Sequence, residues 1–124
     1  MEQNARPSQG TILVVDDEPD IVSLLEEYFS SQGFRVLTAL DGETALKRAE
    51  HSPDLIVLDV GMPFMGGYAV CRRLREHLSC PIVFLTARVE DVDALEGFEA
   101  GADDYVHKPF SLAVLGARVR AHLA

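Results

Sequence analysis

Four short apolar runs in this chain each lead directly into a polar residue of a type that phosphoryl chemistry uses. They are residues 13–15 before Asp16 and Asp17, residues 55–58 before Asp59, residues 82–85 before Thr86, and residues 104–107 before Lys108. Runs of this length, separated by helix-period segments, predict strands of a parallel α/β sheet. Because such sheets bind ligands at the carboxyl ends of their strands, we expect these polar side chains to converge there.

The segments between the runs have apolar residues at helical spacing. Helices are predicted at about 19–32, 44–49, 68–78, 90–100 and 111–123, and a further strand at 34–39. Pro19 suits the first turn of the first helix, and Gly33 suits its stop. Residues 1–10 are polar and without periodicity, so they are expected to be a disordered leader before a domain spanning 11–124. Five strands alternating with five helices indicate a doubly wound α/β sandwich of three layers.

Composition narrows the class of function. The chain has 20 acidic and 11 basic residues, a formal net charge of -9, which repels a phosphate backbone and argues against nucleic acid binding by this chain itself. No apolar stretch is long enough to span a membrane and no secretory signal is visible, so we expect a soluble cytoplasmic protein. Cys71 and Cys80 lack metal-ligand spacing and are interpreted as reduced thiols.

Three carboxylates at one sheet edge, from Asp16, Asp17 and Asp59, would repel one another. Two unit charges about 4 Å apart repel by roughly 4 kcal/mol at an effective dielectric near 20, so the cluster requires a cation. Oxygen-only donors at an exposed edge suit Mg²⁺ or Mn²⁺ better than Zn²⁺. A phosphoryl donor held there could be attacked by one carboxylate to give an acyl phosphate, with Lys108 and Thr86 holding its oxygens.

Each of these residues also has a purely structural interpretation. Asp17 and Thr86 can cap the helices that follow them, and Lys108 can be a solvated charge. The pair Gly66-Gly67 can be a simple turn. The joint occurrence of the polar residues at the ends of four separate runs favours the site over these alternatives.

Taken together, the motifs resemble the receiver domain of two-component response regulators. They are Asp16-Asp17, Asp59 with Met62-Pro63 and Gly67, Thr86-Ala87, Gly101-Ala102-Asp103-Asp104-Tyr105 and Lys108-Pro109-Phe110. The resemblance covers residues 11–124. It implies a flavodoxin-like (βα)5 fold whose five-stranded parallel sheet has the order 2-1-3-4-5.

The resemblance further implies how a phosphoryl group would reach the chain. Asp59 would be the phosphoacceptor, and a sensor histidine kinase would supply the group from a phosphohistidine. Mg²⁺, or Mn²⁺ in its place, would be bound by three carboxylates and one backbone carbonyl, namely those of Asp16, Asp17, Asp59 and Gly61.

The same resemblance implies how the bound group would be held and sensed. The phosphoryl group would be bound by Thr86, Ala87 and Lys108. Thr86 and Tyr105 would form a signalling pair, in which the hydroxyl moves to the phosphoryl group and the aromatic ring turns inward. The peptide bond before Pro109 would be cis.

The sequences around Tyr105 and Lys108 resemble the branch that includes OmpR and PhoB. Its members usually carry a C-terminal winged-helix DNA-binding domain and pair through the face of the fourth helix, fifth strand and fifth helix. Ion-pairing residues of that output face would here be Asp103, Asp104 and Arg118. Ala94 and Val114 stand where the branch commonly has a basic and an acidic residue, so a homodimer would lack one usual intersubunit ion pair.

Two enzyme or carrier classes compete with this interpretation. An aspartyl-phosphate phosphohydrolase needs a second Asp two residues after its nucleophile, where this chain has Gly61. A flavodoxin-like electron carrier needs a Ser/Thr/Gly-rich phosphate loop after the first strand, where this chain has Asp17-Glu18-Pro19-Asp20. We therefore predict a phosphorylation-controlled binding module that is an enzyme only in assisting its own phosphotransfer and dephosphorylation. Its DNA-binding output domain would be absent from this chain; the alternative is a stand-alone receiver acting by protein contacts.

Overall fold

The computed structural model describes residues 9–87 and 99–124, which build a parallel sheet with helices on both faces. The strands are β1 (Thr11–Val15), β2 (Arg35–Ala39), β3 (Leu55–Asp59), β4 (Ile82–Thr86) and β5 (Asp104–His107). Every neighbouring pair is parallel, and the order is β2-β1-β3-β4-β5. The predicted strands and the flavodoxin-like strand order are confirmed.

Four α-helices are present in the described residues. They are α1 (Pro19–Ser31), α2 (Gly42–Arg48), α3 (Gly67–Arg75) and a C-terminal helix (Leu112–Leu123), and a 3-10 turn at Ala49–His51 follows α2. The prediction of 68–78 for the third helix extends beyond its observed end. The predicted helix at 90–100 lies outside the described residues except for Glu99 and Ala100, which are helical.

Local sequence explains where these helices begin and end. Asp41 accepts a hydrogen bond from the Thr44 N–H at 2.7 Å and so caps α2. The hydroxyl of Ser111 accepts from the Val114 N–H at 3.3 Å at the start of the C-terminal helix. Past the end of α1, Gly33 has a φ of 95°, a conformation that favours glycine.

Successive side chains of a strand point to opposite sides of the sheet, and helices cover both of these sides. On one side, Leu13 and Ile56 belong to an apolar cluster that includes residues of α2 and α3. On the other, Ile12 and Val57 belong to a cluster with residues of α1 and the C-terminal helix. The helices therefore place the sheet in the middle of three layers, and the three central strands β1, β3 and β4 are buried along almost their whole length.

Two backbone features bring the carboxyl ends of the strands together. A Cβ atom on Gly67 would lie 2.4 Å from the Asp59 carbonyl oxygen, so only glycine allows α3 to start this close to β3. The Lys108 N–H donates to the Thr86 carbonyl at 2.7 Å, which ties the segment after β5 to the end of β4. The Lys108-Pro109 peptide bond is cis, as the family resemblance implies.

Contacts of the domain already begin just before β1. The Gln9 N–H donates to the Gly33 carbonyl, and the Gly10 carbonyl accepts from the Arg35 N–H, both at 2.9 Å. The rest of the predicted leader, residues 1–8, lies outside the described part of the chain. Across residues 9–87 and 99–124, no helix has the length and apolarity needed to cross a membrane.

Candidate functional site

An open cavity of about 330 Å³ lies at the carboxyl edge of the sheet, where the sequence predicts that polar side chains converge. Its lining residues come from the segments after β1, β3, β4 and β5, namely Asp17, Glu18, Asp59, Val60, Gly61, Thr86, Ala87 and Lys108. The structure thus brings together the residues that end four separate strands. Asp16 is fully buried and reaches this group through Lys108.

Lys108 is the electrostatic centre of the site. Its Nζ atom lies 3.0 Å from Asp16 Oδ2, 3.3 Å from Asp59 Oδ1 and 3.4 Å from Glu18 Oε2. Only 17% of its side chain is exposed. Lys108 is therefore a shared counter-ion of three carboxylates, and the interpretation as a solvated charge is wrong.

Both buried aspartates have a raised pKa. For Asp59, burial raises the pKa and the charge of Asp16 raises it further, against the opposing effect of Lys108. For Asp16, burial raises the pKa against hydrogen bonds from the Glu18 N–H and Lys108. Burial lowers the pKa of Lys108, but its bonds and charge interactions with the two aspartates outweigh this and raise it to about 12. One ammonium group does not compensate two buried carboxylates.

The donor atoms at this edge fit a hard divalent cation. Carboxylate oxygens of Asp16, Asp17 and Glu18 lie within 4.8 Å of one another. A set made only of oxygens, with the negative charge in excess, suits Mg²⁺ or Mn²⁺, whereas Zn²⁺ prefers nitrogen and sulfur ligands. Sequence reasoning missed Glu18, although its position directly after the Asp16-Asp17 pair was a usable signal.

The structural alternative for Asp17 does not hold. Glu18, not Asp17, occupies the N-cap position of α1, and no side-chain hydrogen bond caps that helix. The Glu18 N–H instead donates to Asp16 Oδ1 at 3.0 Å. Asp17 is exposed, so its carboxylate is available at the mouth of the cavity.

The two residues of the predicted signalling pair lie on neighbouring strands. Thr86 is buried at the end of β4, with 3% of its surface exposed. Tyr105 is the register partner of Phe84, and the two rings pack edge to face with centroids 5.5 Å apart. Phe84 and Thr86 are two residues apart on β4, so their side chains lie on the same side of the sheet. Tyr105, beside Phe84, therefore lies on that side too, two residues further from the carboxyl edge than Thr86.

Residues of the predicted output face take different partners. Asp104 accepts from Arg118 Nη1 at 2.9 and 3.0 Å and lies 3.1 Å from His122 Nε2. Burial alone would raise the pKa of Asp104, but His122, the Tyr105 N–H and Arg118 together lower it. Val114 is 51% exposed on the C-terminal helix.

Asp103 is not directed toward Arg118. Its carboxylate accepts from Arg75 at the end of α3 and, at 2.8 Å, from the Ile82 N–H. Arg75 also donates to the carbonyl of Gly101. Asp103 therefore joins α3 to the starts of β4 and β5. Ala94 lies outside the described residues.

The fold and this site define a class of protein. The chain belongs to the response regulator receiver domain family, whose model matches residues 12–120. Within that family it lies in the OmpR/PhoB-like branch.

Two similar proteins are named as transcriptional regulatory proteins. The alkaline phosphatase synthesis transcriptional regulatory protein PhoP of Bacillus subtilis (strain 168) is 54% identical over 114 residues, which are 90% of this chain and 48% of that protein. The transcriptional regulatory protein AfsQ1 of Streptomyces coelicolor is 49% identical over 114 residues, 91% of this chain and 51% of that protein. The chain thus spans about half the length of these relatives.

A solved receiver-domain structure has the same fold as this chain. The BeF3-activated N-terminal receiver domain of Klebsiella pneumoniae RstA superimposes with a TM-score of 0.85 at 35% sequence identity. The match covers 91% of this chain and 97% of that one.

Proposed function

We propose that Asp59 accepts a phosphoryl group from the phosphohistidine of a sensor histidine kinase. The observation that carries this proposal is the position of Asp59, buried beside Lys108 at the floor of an open cavity lined by the ends of four strands. An Asp59 oxygen attacks phosphorus, the P–N bond to the histidine breaks, and its electron pair stays on the imidazole nitrogen. Such transfer depends mainly on positioning and on compensation of charge.

The residues at this edge fit Mg²⁺ or Mn²⁺ as the cofactor. The ion would be held by Asp16, Asp17, Asp59 and the backbone carbonyl of Gly61. When bound, it offsets the negative charge of the phosphoryl oxygens and of the buried carboxylates.

Three further residues would hold the transferred group. Lys108 already lies within 3.4 Å of three carboxylates, so a phosphoryl group on Asp59 would compete for its ammonium hydrogens. The Thr86 hydroxyl would donate to a phosphoryl oxygen, and Ala87, which lines the same cavity, would contact the group. The new charge of about -1.5 to -2 is what the domain would sense.

The signal would leave through the predicted output face. Movement of Thr86 toward the phosphoryl group would let the Tyr105 ring turn inward and change the surface that carries Asp104 and Arg118. Because PhoP and AfsQ1 are transcriptional regulatory proteins of about twice this length, we propose that the receiver controls a winged-helix DNA-binding half in the cytoplasm. Acting as a stand-alone receiver through protein contacts is the second candidate. Apart from its own phosphotransfer and dephosphorylation, no enzymatic activity is proposed.

Phosphorylation by a small-molecule donor tests the acceptor directly. Acetyl phosphate with Mg²⁺ should add one phosphoryl group to the chain, and Asp59→Asn should abolish the addition, as measured by intact mass. Asp104→Asn is the matched control, because it removes a partly buried aspartate outside the site, and it should still be modified. Equal modification of the Asp59→Asn variant would remove Asp59 as acceptor.

The phosphoryl mimic beryllofluoride tests the signalling pair. With Mg²⁺, it should shift the backbone amide NMR signals of Thr86 and Tyr105, and the Asp59→Asn variant should show no such shift. Unchanged signals at both residues in the unmodified chain, while signals at Asp59 and Gly61 do change, would exclude the pair.

A further inference from the structure

The ammonium group of Lys108 has as many carboxylate partners as it has hydrogens. An ammonium group offers three hydrogens and no acceptor. Its Nζ atom lies 3.0 Å from Asp16 Oδ2, 3.3 Å from Asp59 Oδ1 and 3.4 Å from Glu18 Oε2. A phosphoryl oxygen that binds Lys108 must therefore replace one of these three carboxylates.

The three carboxylates differ in what their release from Lys108 would cost. Asp16 is completely buried, so its release would leave a charge without a counter-ion in the interior. Asp59 is 5% exposed and would itself carry the phosphoryl group. The Glu18 side chain is 62% exposed and makes the longest of the three contacts. Because water can solvate its carboxylate, Glu18 is the partner that Lys108 loses at the lowest cost.

The backbone of Glu18 is fixed, so only its side chain has to move. Its N–H donates to Asp16 Oδ1 at 3.0 Å. Its carbonyl accepts from the N–H groups of Ile21 at 3.1 Å and Val22 at 3.2 Å in the first turn of α1. The side chain lines the same cavity as Asp59. Rotation of one exposed side chain is therefore enough to clear the space beside Lys108.

We propose that the Glu18 carboxylate occupies the position on Lys108 that a phosphoryl oxygen takes after transfer to Asp59, a proposal that rests on the proposed function. Glu18 then acts through Lys108 and is a positioning residue. In the unphosphorylated domain, it binds the third hydrogen of the ammonium group. When Asp59 carries a phosphoryl group, Glu18 is displaced into solvent, and its negative charge still repels the new group. Glu18 therefore competes with the phosphoryl group and weakens its binding.

A role as metal ligand is the competing interpretation of Glu18. One of its carboxylate oxygens lies within 4.8 Å of an oxygen of Asp16 and of Asp17. The two roles predict opposite effects when the charge of Glu18 is removed. Without a metal ligand, Mg²⁺ and a phosphoryl mimic that depends on it would bind less tightly. Without a competitor for Lys108, the phosphoryl mimic would bind more tightly.

The test measures the affinity of the chain for beryllofluoride at saturating Mg²⁺ by titration of amide NMR signals. Glu18→Gln keeps the length of the side chain and replaces the carboxylate with a neutral amide, which binds an ammonium group less strongly. Glu18→Asp keeps the charge but shortens the side chain by one carbon–carbon bond of about 1.5 Å, too short to reach Lys108. Asp20→Asn is the matched control, because it removes an exposed carboxylate of α1 that does not line the cavity.

Glu18→Gln should bind beryllofluoride about three- to fivefold more tightly, the size of an exposed ion pair that no longer has to be broken. Glu18→Asp should bind it more tightly than the unmodified chain but less tightly than Glu18→Gln, because the ion pair is lost and the repulsion stays. Asp20→Asn should leave the affinity unchanged, because solvent screens its charge. In the unmodified chain saturated with Mg²⁺, the carbon NMR signal of the Glu18 carboxyl group should shift when beryllofluoride is added.

Two results would overturn this role of Glu18. One is an unchanged or lower affinity of Glu18→Gln for beryllofluoride at saturating Mg²⁺; if its affinity for Mg²⁺ alone also fell, Glu18 would be a metal ligand instead. The other is an equal gain in Asp20→Asn, which would make the effect one of net charge. Failure of the proposed function is separate, because the unmodified chain would then bind no beryllofluoride or gain no phosphoryl group from acetyl phosphate.

Discussion

Two clusters in this domain pair aspartate with a cation. The pKa of the aspartate carboxyl groups is shifted in opposite directions in the two clusters. The site cluster consists of Asp16, Asp59 and Lys108, and the face cluster consists of Asp104, Arg118 and His122. The aspartates of the site cluster have a raised pKa and Asp104 has a lowered one.

The difference comes from burial and from the ratio of partners. In the site cluster, two almost completely buried carboxylates share one ammonium group. In the face cluster, one carboxylate with 18% of its side chain exposed receives bonds from Arg118, from its neighbour's backbone N–H and from His122. An ion pair lowers the pKa of a carboxyl group only where its donors outweigh the cost of desolvation. The site cluster is left one cation short, and that deficit of positive charge is what suits this edge to a divalent cation.

The largest effect should come from removing the cation of each cluster. Lys108→Met leaves two buried carboxylates without their counter-ion and should lower the free energy of unfolding at pH 7 by about 3 kcal/mol. Arg118→Met should cost about 1 kcal/mol or less, because Arg118 is half exposed and screened by solvent. Urea unfolding of both variants measures the difference, and equal losses would contradict the contrast between the clusters.

The effect of Lys108→Met should also depend on pH in a definite direction. The folded-state pKa of Lys108, about 12, is raised above the unfolded value of about 10.4. Its contribution to stability is therefore complete below pH of about 10 and is lost as the pH rises through about 12. Unfolding measured from pH 8 upward should show the variant and the unmodified chain converging only in strong alkali.

Mg²⁺ should stabilise the domain by binding at the sheet edge, to Asp17 together with the aspartates of the site cluster. At a concentration about 100 times its dissociation constant, a ligand of the folded state adds about 2.7 kcal/mol. Asp17→Asn should lose most of this gain, whereas Asp20→Asn, an exposed aspartate in the first turn of α1, should retain it. Thermal unfolding with Mg²⁺ and with a chelator gives the comparison. Retention of the full gain by Asp17→Asn would exclude Asp17 as a ligand.

Neutralising one aspartate in each cluster should change stability in opposite directions. Without Mg²⁺ at pH 7, Asp59→Asn removes a buried charge that repels Asp16 and that burial already disfavours, so it should raise the free energy of unfolding. Asp104→Asn removes the acceptor of charged hydrogen bonds and should destabilise the fold by about 1 kcal/mol. Urea unfolding of the two variants measures both changes. If both midpoints shift in the same direction, the two clusters do not differ in the sign of their effect on stability.

The smallest expected effect is the pH dependence of the stability changes in Asp59→Asn and Asp104→Asn. The pKa of Asp59 is raised, so its ionisation costs stability only as the pH rises past about 4, and the gain in Asp59→Asn should vanish in acid. The pKa of Asp104 is lowered, so its contribution is present above about pH 4 and lost as the pH falls through the lowered value. Urea unfolding of both variants and of the unmodified chain from pH 3 to 7 measures how each stability difference changes with pH.

Prediction from sequence succeeded where the information is local. Apolar runs such as residues 55–58 identify strands because both faces of a central parallel strand must be buried. Ser111, at the start of the helix predicted at 111–123, caps that helix because a short side chain reaches its own backbone within three residues. The convergence at the edge followed in turn, since parallel strands necessarily end together.

Prediction failed where a residue's partner is distant in the chain. Asp103 and Asp104 are neighbours in sequence, yet Asp103, just before β5, bonds to Arg75, whereas Asp104, the first residue of β5, bonds to Arg118. The place of Glu18 among the partners of Lys108, 90 residues away, depends on the order of β1, β3, β4 and β5 in the sheet.

The sequence by itself determined the strands, the helix starts and the set of polar residues at the sheet edge. Each of these depends on the side-chain period or on contacts within one turn. Only the tertiary structure decided how deeply Asp16 and Asp59 are buried, and that one cation serves both. It also placed the exposed carboxylate of Glu18 on the same cation. Burial and charge balance are properties of the packed layers, because they depend on which distant elements cover a side chain.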